Sequence, residues 1–408
     1  MSEREVAVTG IGMVTPAGIG REATWDGLCA GVGLGAYDDE LAGLPVDFSC
    51  RVPGFDGGAL VGRRITWRSD RFIHLAMVAA REAIADAALD TASWDGARVA
   101  VVIGAASNGG DCWPQEYKNL AEGRIDAISP TVLLRSLPNM AAGEVSTDLQ
   151  ALGPCLTTST ACASGATAIG VARDLLRSGA CDIALTGGAE CARVPMAAAA
   201  FHRMQALSQR RHDPAGASRP FDADRDGFVL GEGAAMLVLE RPRDARTRGA
   251  RTRGLLSGYG ASSDGYHATR PNPDGAGARR ALESALADAR ADVSEVHHVN
   301  AHGTSTPLND RVEATLLRTV FGGAPPPVTS LKGVLGHSLG AAGAIDAACT
   351  VLALERQLVP PTANLDRLDD GMDLDVVTKV PRRHRMEGAL SNAFGFGGQN
   401  AVLFFRAA

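Results

Sequence analysis

Residues Thr157–Gly170 read TTSTACASGATAIG. Small and hydroxylated side chains surround Cys162, and an alanine-rich run follows with Leu175 and Leu176 near its end. This pattern predicts a tight turn opening into a helix, with Cys162 at or just before the helix N-terminus. Unpaired N–H groups and the helix dipole favour thiolate over thiol at such a place. Small neighbours leave room for a thioester to reach the sulfur. The same composition fits a buried structural thiol, because free cysteine is among the most buried residue types. The segment alone does not separate the two.

On both sides of it, short β-branched runs alternate with longer helical stretches. Strands are expected at Glu5–Thr9, Val99–Ile103, Asp182–Thr186, Ala235–Leu239, Val296–Asn300, Asp373–Val377 and Ala401–Phe405. Helical patterns occupy 71–88, 164–178, 276–290, 309–320 and 339–355. Such alternation is the mark of an α/β protein whose sheets lie beneath helices. The charged, glycine-punctuated stretch Arg241–Arg253 reads as a surface connection between two halves, residues 1–250 and 251–408.

A chain of 408 residues that is 45% hydrophobic can bury a large core, as two domains or one duplicated unit. Its formal charge of −6 argues against a nucleic-acid partner. The N-terminus MSEREVAVTGIG lacks the basic and apolar regions of a secretion signal. No apolar run approaches the roughly 20 residues that span a bilayer. The eight cysteines contain no CxxC pair and read as reduced thiols, which points to the cytoplasm.

Two histidine segments alter the reading of Cys162. Asn300–Asp310 (NAHGTSTPLND) ends an expected strand at His302, and Leu331–Gly343 (LKGVLGHSLGAAG) places Lys332 five residues before His337. A lone histidine is more often structural. Two among small residues at element edges, together with a thiol, supply a nucleophile and two groups able to donate hydrogen bonds or move protons. In Asn392–Asn400 (NAFGFGGQN), packed glycines expose N–H groups that suit a developing oxyanion, though a plain flexible turn fits as well.

These segments, in this order, resemble β-ketoacyl-acyl-carrier-protein synthases of the II type and the ketosynthase subunits of type II polyketide synthases. VAVTGIGMVTPAG near the start and PFDADRDGFVLGEGAAMLVLE (220–240) share the likeness, which therefore runs along the whole chain. The resemblance implies a thiolase fold: two similar α/β halves in a five-layered αβαβα core, usually dimeric. Residues 1–250 would carry the nucleophilic cysteine and 251–408 the two catalytic histidines.

It also implies a decarboxylative condensation. Cys162 would hold an acyl chain, and a malonyl group would arrive on the phosphopantetheine arm of an acyl carrier protein. His302 and His337 would bond the thioester carbonyl, and Lys332 would organise them. The N–H groups of Cys162 and Phe396 would form the oxyanion hole, with Phe396 as gate. Thr304, Thr306, Phe394 and Gly395 would meet substrate, and Asp310, Glu313 and Asp346 would support the site. No metal, no resident cofactor, no nucleic acid and no membrane are implied. The second subunit would be an identical chain or a chain-length-factor-like partner; such factors lack the nucleophilic cysteine that this chain keeps. The pathway, fatty-acid or polyketide, stays open.

Two departures stand out. Asp346 occupies a position where relatives often carry Glu, which leaves the network behind Lys332 in question. Ser107–Trp113 (SNGGDCW) is polar where relatives often place larger apolar residues, so an altered pocket depth is expected. Basic groups at Arg63, Arg64, Arg68 and Arg71, and at Arg203, Arg210 and Arg211, would suit an acidic carrier protein or would simply be solvated surface.

A rival is a serine hydrolase, because Gly336–Gly340 (GHSLG) fits G-x-S-x-G, with Asp373 and His384 following Ser338 in order. LKGVLG is a poor strand to precede such an elbow. The acidic run from Asp222 fails as a calcium loop because Glu232 falls one position early. Gly10-Ile11-Gly12 fails as a dinucleotide fingerprint because Thr15 stands where the third glycine belongs.

Overall fold

The computed structural model describes residues 5–107, 110 and 112–408. The first half runs β1 (Val6–Thr15), α1 (Arg71–Asp86), β2 (Val99–Gly104), α2 (Met140–Leu149), β3 (Cys155–Thr158), α3 (Ser164–Arg177), β4 (Ile183–Cys191) and β5 (Glu232–Glu240). The second runs β6 (Gly254–Ser263), α4 (Ala276–Ala289), β7 (His298–Asn300), α5 (Pro307–Val320), β8 (Val328–Thr329), α6 (Ala342–Arg356), β9 (Gly388–Gly395) and β10 (Gln399–Arg406).

The strand order is β3-β2-β4-β5-β1 in the first half and β8-β7-β9-β10-β6 in the second. Both halves thus place their own strands in the order third, second, fourth, fifth, first. Their pairing senses agree as well. The first strand is antiparallel to the fifth, the fifth to the fourth, and the remaining pairs are parallel. The halves meet where β1 and β6 pair antiparallel, Val6–Val8 against Gly254–Leu256.

Side-chain alternation builds the layers. On β2, Val99, Val101 and Ile103 pack with α1 and α2, whereas Ala100 and Val102 face the central helices α3 and α6. In the second sheet, Leu390, Val402 and Phe404 pack with α4 and α5, while Ala389, Leu403 and Phe405 face the centre. Five layers result, αβαβα, as the thiolase fold requires. Each fully buried Leu or Phe adds roughly 1.5–3 kcal/mol relative to exposure, so both sheets are anchored on two faces.

Several expectations need correction. Asp373–Val377 forms no strand; Val376 makes one isolated bridge to Val328, and Asp373 has φ +42°. The strands β3, β6, β8 and β9 lie outside the expected set. In β6 the glycines mask the strand pattern, and their reason is contact. A Cβ on Gly258 or Gly260 would lie 2.1 Å from Ala285 O or 2.0 Å from Ala281 O, on α4. Gly10 and Gly12 likewise let α1 lie on β1, which accounts for the glycine pair that imitates a dinucleotide fingerprint. The helix expected from residue 339 begins as a 3₁₀ turn, Leu339–Ala341, before α6. Arg241–Arg253 is no bare surface loop: it contains a short helix, Pro242–Thr247, and Arg241, Arg248 and Arg253 bind Asp244, Glu240 and Asp86.

Candidate active site

Cys162 sits in a single 3₁₀ turn, Ala161–Ala163, one residue ahead of α3. Ala161 takes φ +48°, a left-handed conformation that costs a non-glycine residue about 1 kcal/mol or more. Ser305 (φ +69°) and Leu339 (φ +43°) do the same in the two histidine segments. All three chemistry-bearing segments are held in unfavourable backbone shapes by their surroundings.

Opposing glycines bring the segments together. A Cβ on Gly165 would lie 2.7 Å from Ala344 N, and one on Gly343 would lie 2.9 Å from Ala166 N. The N-terminal turns of α3 and α6 therefore touch backbone to backbone. This contact sets Cys162 against His337. Ligand atoms of Cys162, His302 and His337 all lie within 4.8 Å of one another, and the two imidazole rings are 5.4 Å apart, edge to face. The three atoms are close enough to chelate, but the Lys332 ammonium that acts on both imidazoles opposes a cation there.

His302 lies two residues past the end of β7. Its backbone N–H donates to Glu313 Oε1 at 2.9 Å, Gly303 N–H to Oε2 at 2.8 Å, and Asn392 Nδ2 to Oε1 at 3.0 Å. Asp310 accepts from Phe221 N–H and lies 3.5 Å from Arg225, which ties the 302–306 loop to the 219–225 loop. His337 is pinned by its N–H to Val229 O at 2.7 Å and by Gly231 N–H to its own carbonyl. Phe228 packs edge-on against its ring at 5.3 Å. Lys332, fully buried, pairs Nζ to Asp346 Oδ2 at 2.7 Å, so the shorter acid still reaches the ammonium.

Burial sets the electrostatics. It holds both imidazoles well below their ordinary value, helped by the Lys332 charge, so both are neutral near pH 7. It pushes the Cys162 thiol up to about 11, against hydrogen bonds from the backbone N–H groups of Phe396 and Cys162. The thiolate expected from the helix terminus is therefore corrected: desolvation outweighs the dipole, and the resting group is a thiol. Those same two N–H groups meet at the sulfur. Gly395 makes this possible, since a Cβ there would lie 2.7 Å from Thr160 O and 3.1 Å from Cys162 N.

The sulfur and both imidazoles line a cavity of about 470 Å³. Thr304, Thr306, Phe394, Gly395 and Phe396 line it too, with the two threonine hydroxyls 2.9 Å apart. NAFGFGGQN is not a flexible loop. Phe394 and Gly395 end β9, and only Phe396–Gly398 make the turn to β10. Of Ser107–Trp113, Ser107 lines the cavity, and Asn108, Gly109 and Asp111 lie outside the described residues.

The chain matches the description "Beta-ketoacyl synthase, N-terminal domain" over residues 3–245 and "Beta-ketoacyl synthase, C-terminal domain" over residues 253–366. It belongs to the β-ketoacyl synthase family. A 3-oxoacyl-[acyl-carrier-protein] synthase 2 of Vibrio cholerae is 39% identical over the full length of both chains. A Streptomyces cyaneus protein named for a polyketide β-ketoacyl synthase is 40% identical, with 98% of this chain and 97% of that one covered. Among solved structures, the ishigamide ketosynthase/chain length factor superposes with TM-score 0.93 at 34% identity and full coverage of both chains. A type II polyketide synthase ketosynthase in complex with its acyl-carrier protein gives 0.91 at 30%, covering 99% of each.

In this β-ketoacyl synthase the serine-hydrolase reading fails on geometry. Ser338 follows a short helix, Lys332–Leu335, instead of a strand, and Asp373 is exposed. The basic groups also divide. Arg71 grips Glu232 through two bonds of 2.7 Å, Arg68 binds Glu144, and Arg211 binds Asp47. Arg63, Arg64 and Arg203 are exposed without a carboxylate partner among the described residues. Sequence reasoning missed Phe201, which packs 6.4 Å from the Phe396 ring, and the buried Glu190 behind the cavity. The acid's signal was visible as a lone Glu ending an apolar strand run. Among the described residues, no helix is long and apolar enough to cross a membrane.

Proposed function

We propose that the chain condenses a Cys162-bound acyl group with a malonyl thioester, yielding a 3-oxoacyl thioester. The observation that carries this reading is the convergence of one thiol, two neutral imidazoles and two backbone N–H groups at the wall of one apolar cavity. In the first half-reaction Cys162 Sγ attacks the acyl thioester, the carrier's sulfur leaves, and the thiol proton ends on that sulfur. In the second, the malonyl thioester loses CO2 and its carbonyl becomes an enolate. His302 and His337 donate to that oxygen. Their Nδ1 atoms are buried without hydrogen-bond partners among the described residues, which favours protons on Nε2. The carbanion then attacks the acyl-Cys carbonyl, whose oxygen charge rests on the N–H groups of Cys162 and Phe396. Collapse expels the Cys162 sulfur, which takes a proton from water.

In this reading no metal or resident cofactor takes part. Lys332 holds its place through Asp346, Glu313 and Asp310 fix the His302 loop, and Thr304, Thr306, Phe394 and Gly395 bind the phosphopantetheine arm. Phe396 gates the cavity. Division at 250/251 belongs to the same reading, since each half repeats one strand order and contributes part of the site. The acyl chain would come on an acyl carrier protein that meets Arg63, Arg64 and Arg203. A second ketosynthase-like subunit, identical or of the chain-length-factor kind, would cover the edge strand β3, where Leu156 (44%) stands exposed, and the segment just before it with Leu152 (71%). Eight free cysteines suit a reducing cytoplasm.

Incubation with acyl-carrier proteins of graded chain length, followed by peptide mass spectrometry, tests the reading. The Cys162 peptide should gain the acyl mass, and malonyl-carrier protein should then release a 3-oxoacyl product. Acyl mass on Ser338, or hydrolysis without a 3-oxoacyl product, would overturn it.

A further inference from the structure

Glu190 lies near the end of β4 and is 1% exposed, yet it touches no substrate-facing charge. Its Oε2 accepts from Ala106 N–H at 2.8 Å and Ser107 N–H at 3.1 Å, and its Oε1 accepts from the Ser107 hydroxyl at 2.6 Å. Gly340 N–H donates to the same carboxylate. The turn at Gly340 fits only because it lacks a side chain: a Cβ there would lie 2.8 Å from Oε2 and 2.3 Å from Ala106 N. Burial raises the proton affinity of Glu190, and every one of these partners is a donor that works against this by favouring the anion.

Three segments thus converge on one buried carboxylate. Ala106 and Ser107 form a wall of the cavity beyond β2, and Ala192, two residues past Glu190, forms another. Gly340 lies three residues after His337, next to Leu339, which also lines the cavity. We infer that Glu190 is a positioning residue that locks the acyl-binding wall at Ala106–Ser107 to the turn carrying His337, so that the chain in the cavity and the imidazole take their places together. The inference rests on the condensation reading for what fills the cavity, but not for the lock itself.

Two consequences follow from the chemistry. The Ser107 proton is committed to Glu190, so toward the cavity this hydroxyl offers only acceptor lone pairs. The negative charge also faces the nucleophile's surroundings and opposes ionisation of Cys162, in the same sense as burial. Burial is the larger effect, and the Glu190 charge adds to it in keeping the sulfur protonated.

The variant Glu190→Gln keeps the shape and removes the charge: its carbonyl can accept from Ala106 and Ser107 N–H while its amide donates to Ser107 Oγ. Carbamoylmethylation of Cys162 by iodoacetamide, followed across pH by mass spectrometry, should shift to lower pH in this variant, with severalfold faster labelling at pH 8 and a melting temperature close to wild type. Glu190→Ala, which frees the wall, should lower both acyl transfer to Cys162 and malonyl decarboxylation by tenfold or more, and Glu190→Gln should restore most of each. A folded Glu190→Ala with both half-reactions intact, or a Glu190→Gln that restores neither, overturns the inference. Labelling needs no acyl substrate: Glu190→Ala and Glu190→Gln both lack the charge, so a difference between their Cys162 labelling rates reads the lock even where the condensation reading fails.

Discussion

Lys332 and Asp346 form an ion pair with Nζ and Oδ2 at 2.7 Å, and both side chains are buried. The ammonium lowers the proton affinity of both imidazoles, while the carboxylate holds it in place. Breaking such a pair leaves an uncompensated charge in the interior. Asp346→Ala should therefore cost about 3–5 kcal/mol, seen as a large fall in melting temperature. Adding Lys332→Ala should recover part of that loss, because the stranded ammonium goes too.

The Cys162 thiol titrates near 11 because burial disfavours its anion. At pH 8 only about one thiol in a thousand is ionised. Cys162 should thus react with iodoacetamide far more slowly at pH 8 than free glutathione does, and its labelling should rise steeply above pH 9. Peptide mass spectrometry across pH checks this; a rate equal to that of glutathione at pH 8 would contradict it.

The histidines should separate the two half-reactions. His302→Ala and His337→Ala should each slow malonyl decarboxylation by about 10²–10⁴-fold, and should slow acyl transfer to Cys162 less. Because both imidazoles stay neutral well below pH 6.5, decarboxylation in the intact protein should be flat between pH 6 and 8. A drop near pH 6.5 would show a protonating imidazole.

Acid should destabilise the fold early. Burial depresses His74 to about 4 and His298 to about 3. Below pH 6.5 the unfolded chain takes up protons that the folded chain refuses, so stability falls with pH, by roughly 1 kcal/mol per pH unit for each such group. Both ring nitrogens of His298 lack hydrogen-bond partners among the described residues. His298→Leu should flatten the slope of urea midpoints between pH 6.5 and 5.5 without lowering stability at pH 7.5.

The helix contact tolerates no side chain. Gly165→Val would drive atoms into Ala344 N, only 2.7 Å from the ideal Cβ position, and should cost about 3 kcal/mol or prevent folding. Circular dichroism melts measure this directly, with Gly143→Ala, where the nearest contact is 4.0 Å, as the mild counterpart.

Much of this protein is legible from residue order. The strands at Val99, Asp182, Ala235 and Ala401 carry unbroken apolar runs, and the structure places strands there. The nucleophile and both histidines stood out because small residues crowd around them. What escaped notice has a common cause. Gly258, Gly260, Gly388 and Gly395 break the strand pattern, yet each is a point where another backbone or ring presses close. Likewise Asp373–Val377 looked like a strand by composition, although Val376 gains only a single bridge. The charge state of Cys162 was misread because a turn position can be seen in a sequence, whereas the dry interior around it is a property of the assembled chain.

The contact between Gly165 and the turn at Ala344 joins segments nearly two hundred positions apart, one from each half of the molecule. Neither half holds a complete set of reacting groups. Chemistry therefore waits for the last long-range closure: a nascent or split chain would be inert however well its first portion had formed. Turnover in this enzyme doubles as a report that the entire polypeptide has been synthesised and has found its partner half.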